Sequence, residues 1–135
     1  MPPSDAEPEV TGTALATTAE ALYLTNLLLV PGIAFAILVW LYMKHIDNAA
    51  PLAQCHLRQT LSASLWAGVL LIVANVVILA LGGYQAPYTW VIVVLYFVTC
   101  HATLVMLGAL GLAKAMAAKP YRYPLIGRPC PGLLP

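Results

Sequence analysis

Charge is what this chain has least of. Only 8% of its 135 residues are Asp, Glu, Lys or Arg, against about 25% in a soluble domain. So few charges cannot cover a water-soluble monomer of this size, and the apolar excess points to lipid as the solvent. Charge of one sign is lacking too. The formal net charge of +1 gives no overall basic bias towards nucleic acid. The three cysteines, Cys55, Cys100 and Cys130, form no CxxC pair and no metal-ligand spacing, so they read as reduced structural thiols. There is no paired-carboxylate site, no nucleophile–base constellation and no phosphate-cradling glycine loop. The neighbours Cys55–His56 and Cys100–His101 are adjacent in sequence, and adjacent helical residues point about 100° apart, so neither pair makes a dyad. No enzyme is expected. The amino end lacks a positive region and the first apolar run starts late, which argues against a secretory signal peptide.

What the chain does have is three long uncharged stretches, at about 22–43, 60–81 and 88–113. At about 1.5 Å per residue each is long enough for a hydrocarbon core of about 30 Å. In lipid a helix satisfies its own backbone where an open strand does not. The expected fold is therefore an all-α membrane protein with three transmembrane helices, and a short interfacial segment between the first and second. Residues 1–20 read as a disordered acidic tail, 21–119 as the three-span membrane domain, and 120–135 as a basic, proline-rich cytoplasmic tail.

Asp5, Glu7, Glu9 and Glu20 precede the first span, whereas Lys44, Arg58, Lys114, Lys119, Arg122 and Arg128 all follow it. Cations near span ends stay in the cytoplasm. Three spans then put the amino end outside, or in the periplasm, and the carboxyl end inside. The host membrane is expected to be a bacterial inner membrane or an intracytoplasmic membrane derived from it.

Small residues recur at packing spacing: Gly32 with Ala36, Ser64 with Gly68, and Gly108 with Gly111. Such faces let helices approach closely in lipid. Pro31 frees the Leu27 carbonyl and kinks the first span, and Asn75, at matching depth, is expected to face that kink. The alternative is that Asn75 bonds to Tyr96 or to its own helix. His101, near the middle of the third span, is an ionisable residue at that depth. It ligates a cofactor metal (haem iron or chlorophyll magnesium), relays protons, or bonds a backbone carbonyl or a hydroxyl on a neighbouring helix as a neutral imidazole. His56, Arg58 and Gln59 open the second span, with His56 and Gln59 on one face. They cap a helix, grip lipid phosphate or dock a partner, or else form a wet helix end.

The segment PLAQCHLRQTL, with Pro51, His56, Arg58, Gln59 and Leu61, resembles the P-x(4)-H-x-K/R-Q-x-L signature of a bacterial family of small membrane proteins of unknown function. The tail resembles that family's Y-R-Y-P-L-x-x-R ending at Tyr121, Arg122, Tyr123, Pro124, Leu125 and Arg128. The family is grouped with the magnetosome proteins MamF and MmsF and with the twenty-kilodalton subunit of the chloroplast inner-envelope translocon. The likeness spans roughly residues 22–128, and Ala53–Gln54–Cys55 depart from the larger residues usual there. It implies fold and topology, and carries over no catalytic residue.

These readings favour a non-catalytic accessory or scaffold protein. It would pack against a larger membrane protein complex or its own copies, with the bilayer as its other partner, no nucleic acid and no required cofactor. Docking would fall to His56, Arg58, Gln59, Tyr121, Arg122, Tyr123 and Arg128. An oligomeric translocation or channel component is the alternative, and an electron-transfer subunit built on His101 is another. A magnetosome role finds little support in the loops, where the membrane-adjacent segments hold only Asp47 as an acid.

Overall fold

The structure, a computed structural model, describes residues 6–130. Those residues form four helices and no strand: α1 (Ala6–Leu28), α2 (Ile33–His45), α3 (Pro51–Ala80) and α4 (Thr89–Met116). A π-helical turn, Tyr96–His101, interrupts α4.

The first uncharged stretch does not cross as one span. It reverses at Pro31–Gly32. Pro31 has no N–H to continue a helix, and Gly32 adopts φ +90°, a conformation that glycine reaches without a Cβ penalty. The Thr25 carbonyl accepts from both Leu29 N–H (2.9 Å) and Val30 N–H (3.0 Å), which closes α1. Asn26 Oδ1 then accepts the Gly32 N–H at 3.0 Å and fixes the start of α2. The two helices return along each other as a hairpin. Ala19 and Leu38 pack on Leu57 of α3, flanked by Leu15, Leu41 and Tyr42. At the open end a Cβ added to Gly12 would lie 2.9 Å from Ala50 Cβ.

This hairpin corrects three expectations. Two helices among the described residues, α3 and α4, are long and apolar enough to cross a membrane, not three. Residues 6–20 are helical, with Ala16, Ala19 and Glu20 fully buried, so they are not a disordered tail; Met1–Asp5 lie outside the described residues. Gly12 of α1 lies beside Ala50, at the same end of the molecule as the basic loop, where the expectation put the amino segment at the opposite end. The physical reason is that a Pro-Gly pair with a side-chain cap can turn a backbone through a full reversal, which hydropathy cannot distinguish from a kink.

The spans α3 and α4 are joined by a tight turn. Gly82 and Gly83 have φ +119° and +84°, and Thr89 Oγ1 donates to Gly83 O at 2.9 Å. Large apolar side chains on the outer halves face outward, among them Ile72 (64% exposed), Trp90 (75%) and Val98 (66%). A soluble core helix would bury such residues. Their exposure on helices of this length fits lipid as the surrounding medium.

Candidate functional site

At the basic end, four elements converge on one polar cluster. Glu20 of α1 sits one helical turn from Ala16 and Tyr23, and all three, with Ala19, are fully buried. Its carboxylate meets His56 Nδ1 of α3 at 2.6 Å, with both side chains at zero exposure. The other imidazole nitrogen, Nε2, lies 2.9 Å from the Lys119 carbonyl beyond α4. A carbonyl only accepts, so Nε2 carries a proton. Nδ1 and Glu20 then hold one proton between them, and the pair is neutral in sum. Tyr123 Oη donates to the second oxygen, Glu20 Oε2. Burial pushes the Glu20 carboxyl above its ordinary value, while the hydrogen bonds to His56 and Tyr123 pull it back. Burial pushes the Tyr123 hydroxyl upward as well, and the neighbouring Glu20 charge adds to that, so Tyr123 remains a donor.

Gln59, one turn after His56, reads the backbone of the carboxyl segment. Its Oε1 accepts Tyr123 N–H at 3.3 Å and Arg128 N–H at 3.0 Å, and its Nε2 donates to Arg128 O. Ser62 Oγ donates to Ile126 O at 2.6 Å. The segment between bends back on itself, with Gly127 N–H donating to Tyr123 O at 3.0 Å and Leu125 at φ 66°. A disulfide joins Cys55 to Cys130, with Cα atoms 5.0 Å apart and a sequence separation of 75. Two of the cysteines are therefore paired, not reduced, and Cys100 is the free one. The two sequence signatures that carry the family resemblance are thus the two halves of one clamp.

Glycines on α4 make room for it. A Cβ on Gly111 would lie 2.5 Å from Glu20 Oε2 and 2.6 Å from Tyr123 Oη, and one on Gly108 would lie 2.6 Å from Leu24. Tyr23, between them, donates to the Leu104 carbonyl at 3.1 Å and packs edge-on to Tyr123 at 5.8 Å.

A second feature lies deeper, where the hairpin tip ends against the middles of α3 and α4. An apolar cleft of about 630 Å³ opens there, with Asn26, Phe35, Ser64, Gly68, Tyr96 and His101 among its lining residues. The His101 ring, at the end of the π-helical turn, packs on Phe97 at 5.1 Å.

The expected site residues divide accordingly. His56, Gln59 and Tyr123 share the predicted end of the molecule, but they are buried and bind the chain to itself, so they present no docking face. Arg122 and Arg128 are exposed, while Arg58 and Tyr121 are half-buried. Gly108 lies against Leu24 and Tyr23, and Gly111 against Glu20 and Tyr123. Gly32 forms the turn instead, Ala36 is exposed, and Gly68 has open space beside it. Asn75 does not satisfy the Leu27 carbonyl. It donates to Leu71 O in its own helix at 2.8 Å and accepts from Tyr84 Oη at 2.5 Å, because the outward turn brings Tyr84 over it. His101 lines the cleft, and no group of three or more potential metal ligands occurs among the described residues. Sequence reading missed Glu20 altogether. The signal was its place in the series Ala16, Ala19, Glu20, Tyr23, which repeats at i, i+3, i+4 and i+7.

Residues 11–130 match the model of the MamF/MmsF group, described as the magnetosome magnetite crystal formation protein family. No curated protein and no solved structure matches the chain.

Proposed function

The chain belongs to the magnetosome magnetite crystal formation protein family, and on that premise we propose that it is a non-catalytic accessory protein of a magnetite-forming organelle membrane. It packs there against larger membrane proteins or against its own copies. The observation that carries this reading is the contrast between the two ends of the molecule. The basic end is locked by the Glu20–His56–Tyr123–Gln59 clamp. The outer half consists of α3 and α4 alone, with large apolar side chains uncovered along both helices. A rigid base with bare apolar helices suits packing in the plane of the bilayer.

Orientation follows from the cations. Lys44, Lys114, Lys119, Arg122 and Arg128 gather at the clamped end, which belongs in the cytoplasm by the positive-inside rule. Both described ends then face the cytoplasm. The turn Gly82–Pro87, on the far side, contains no charge and offers iron or mineral no carboxylate. An influence on crystal formation therefore runs through partner proteins, not through direct mineral contact. The membrane is the bacterial cytoplasmic membrane or an organelle membrane derived from it.

The test is deletion in a magnetite-forming host. Electron microscopy should show altered crystal size or number, restored by the intact chain. Extraction in native lipid particles should recover it with a membrane protein partner or as an oligomer. Unchanged crystals, together with a solitary monomer, would overturn the reading.

A further inference from the structure

The cleft at the hairpin tip has the makings of a ligand site, and it is separate from the clamp. Its volume of about 630 Å³ falls in the range that holds a drug-sized molecule. Its walls are apolar, yet polar groups converge on it from three elements. Ser64, on α3, is buried at 5% exposure, and its hydroxyl has no hydrogen-bond partner among the described residues. A buried hydroxyl left unpaired is costly, so a missing partner is the natural explanation. Asn26 gives its carbonyl oxygen to Gly32 N–H, which leaves its NH₂ group for a ligand. His101 adds an imidazole at the close of a π-helical turn, a distortion that recurs at functional sites.

We infer that this cleft binds a membrane-soluble quinone, a flat ring whose carbonyl oxygens accept from Ser64 and from the Asn26 or His101 donors. The Asn26 NH₂ group can only donate, so the ligand must supply an acceptor there, while the Ser64 hydroxyl and the imidazole can each donate to a second carbonyl. The aromatic rings of Phe35, Tyr96 and Phe97 suit a planar ring in offset or edge contact. Depth separates the two donors: Ser64 lies four residues into the uncharged stretch 60–81, about 6 Å from its start, whereas His101 lies near the middle of the stretch 88–113. A ligand that also reaches His101 sits deeper than the ester carbonyls of ordinary phospholipids, which stay at the headgroup boundary. Leu65, Val69, Ile72 and Phe97 of its lining are exposed, so the mouth of the cleft is apolar and suits entry of a ligand dissolved in lipid.

Gly68 makes the inference testable without damaging the fold. A Cβ built there meets nothing within 4 Å, so Gly68→Leu fills the cleft and leaves the clamp alone. The full chain, in lipid nanodiscs, is titrated with a photoreactive azido-benzoquinone bearing a decyl tail, and adducts are mapped by mass spectrometry. Expected are saturable labelling of cleft residues and competition by excess decyl-benzoquinone. Labelling should fall at least tenfold in Gly68→Leu and severalfold in Ser64→Ala, with no fall in melting temperature in either variant. Labelling that does not saturate, or that survives Gly68→Leu, would mean partition into lipid and overturn the inference. So would competition by a plain decyl alkane equal to that by the quinone, which would identify the cleft as an acyl-chain groove. Cross-links from Gly68→Cys to a second copy in untreated membranes would give the cleft to a dimer contact instead.

Discussion

Glu20 and His56, 36 residues apart in sequence, meet at 2.6 Å with no solvent access to either. The Lys119 carbonyl, 2.9 Å from the far side of the ring, makes one nitrogen an obligatory donor and so governs what the other can do. Glu20→Gln tests the consequence. A glutamine amide can donate to His56 Nδ1 while its oxygen accepts from Tyr123 Oη, which reproduces both bonds with no charge. That variant should unfold within about 1 kcal/mol of the parent in detergent, whereas Glu20→Ala should lose about 3 kcal/mol, because it strands a buried imidazole and a buried hydroxyl. Equal losses in the two variants would show that the pair is held as carboxylate and imidazolium.

The glycines of α4 and α3 should respond in opposite directions. Gly111→Ala places a methyl group 2.5 Å from Glu20 Oε2 and 2.6 Å from Tyr123 Oη. Neither atom can retreat without breaking the clamp, so a loss of about 1–3 kcal/mol is expected. Gly68→Ala meets open space and relieves a helix of its glycine, for a gain of up to about 1 kcal/mol. Thermal unfolding of the two variants side by side is the measurement.

The disulfide gives a prediction that chemistry alone can read. Trypsin cuts after Lys44, Arg58 and Arg122, but not at Arg128, which precedes Pro129. With free thiols blocked during lysis, the peptides 45–58 and 123–135 should travel as one mass, joined through Cys55 and Cys130, and separate on reduction. Removing the bond with Cys130→Ser should cost about 2–4 kcal/mol by the chain-entropy account. The segment should still dock, because Gln59 and Ser62 hold Tyr123, Ile126 and Arg128 by their backbones. Separate peptides before reduction would show that the clamp works in the cell through those bonds alone.

How much of this was legible beforehand depended on whether a feature was local. The spans α3 and α4 were visible because charge is absent over their whole length and charged or glycine-rich segments bound them. His56 and Gln59 were visible as residues sharing a helix face, but not as buried ones. Their burial depends on the carboxyl segment, which lies 64 to 69 residues away and folds over them. The Pro31 position was read correctly as a break and wrongly as a kink, since what decides a reversal is the Asn26 cap and the φ of Gly32. Glu20 was hidden by composition. An acid among alanines and threonines looks like solvent-exposed tail until its partner, 36 residues on, is brought to it.

The reversal at Gly32 carries the topology, and it is open to direct test. In a chain with Cys100→Ala, single cysteines are introduced at Ala14 on α1, Gln85 in the outer turn and Arg122 in the carboxyl segment. All three positions are exposed. A hairpin puts residues 14 and 122 at the same end, because Gly12 lies beside Ala50 and Glu20 reaches Tyr123. A membrane-impermeant maleimide applied to intact spheroplasts should therefore label position 85 and spare the other two. Inside-out vesicles should show the reverse. A single crossing from residue 22 to 43 would instead pair position 14 with position 85. That result would require Glu20 to leave His56, and with it the neutral buried pair on which the packing of α1 against α3 and α4 rests.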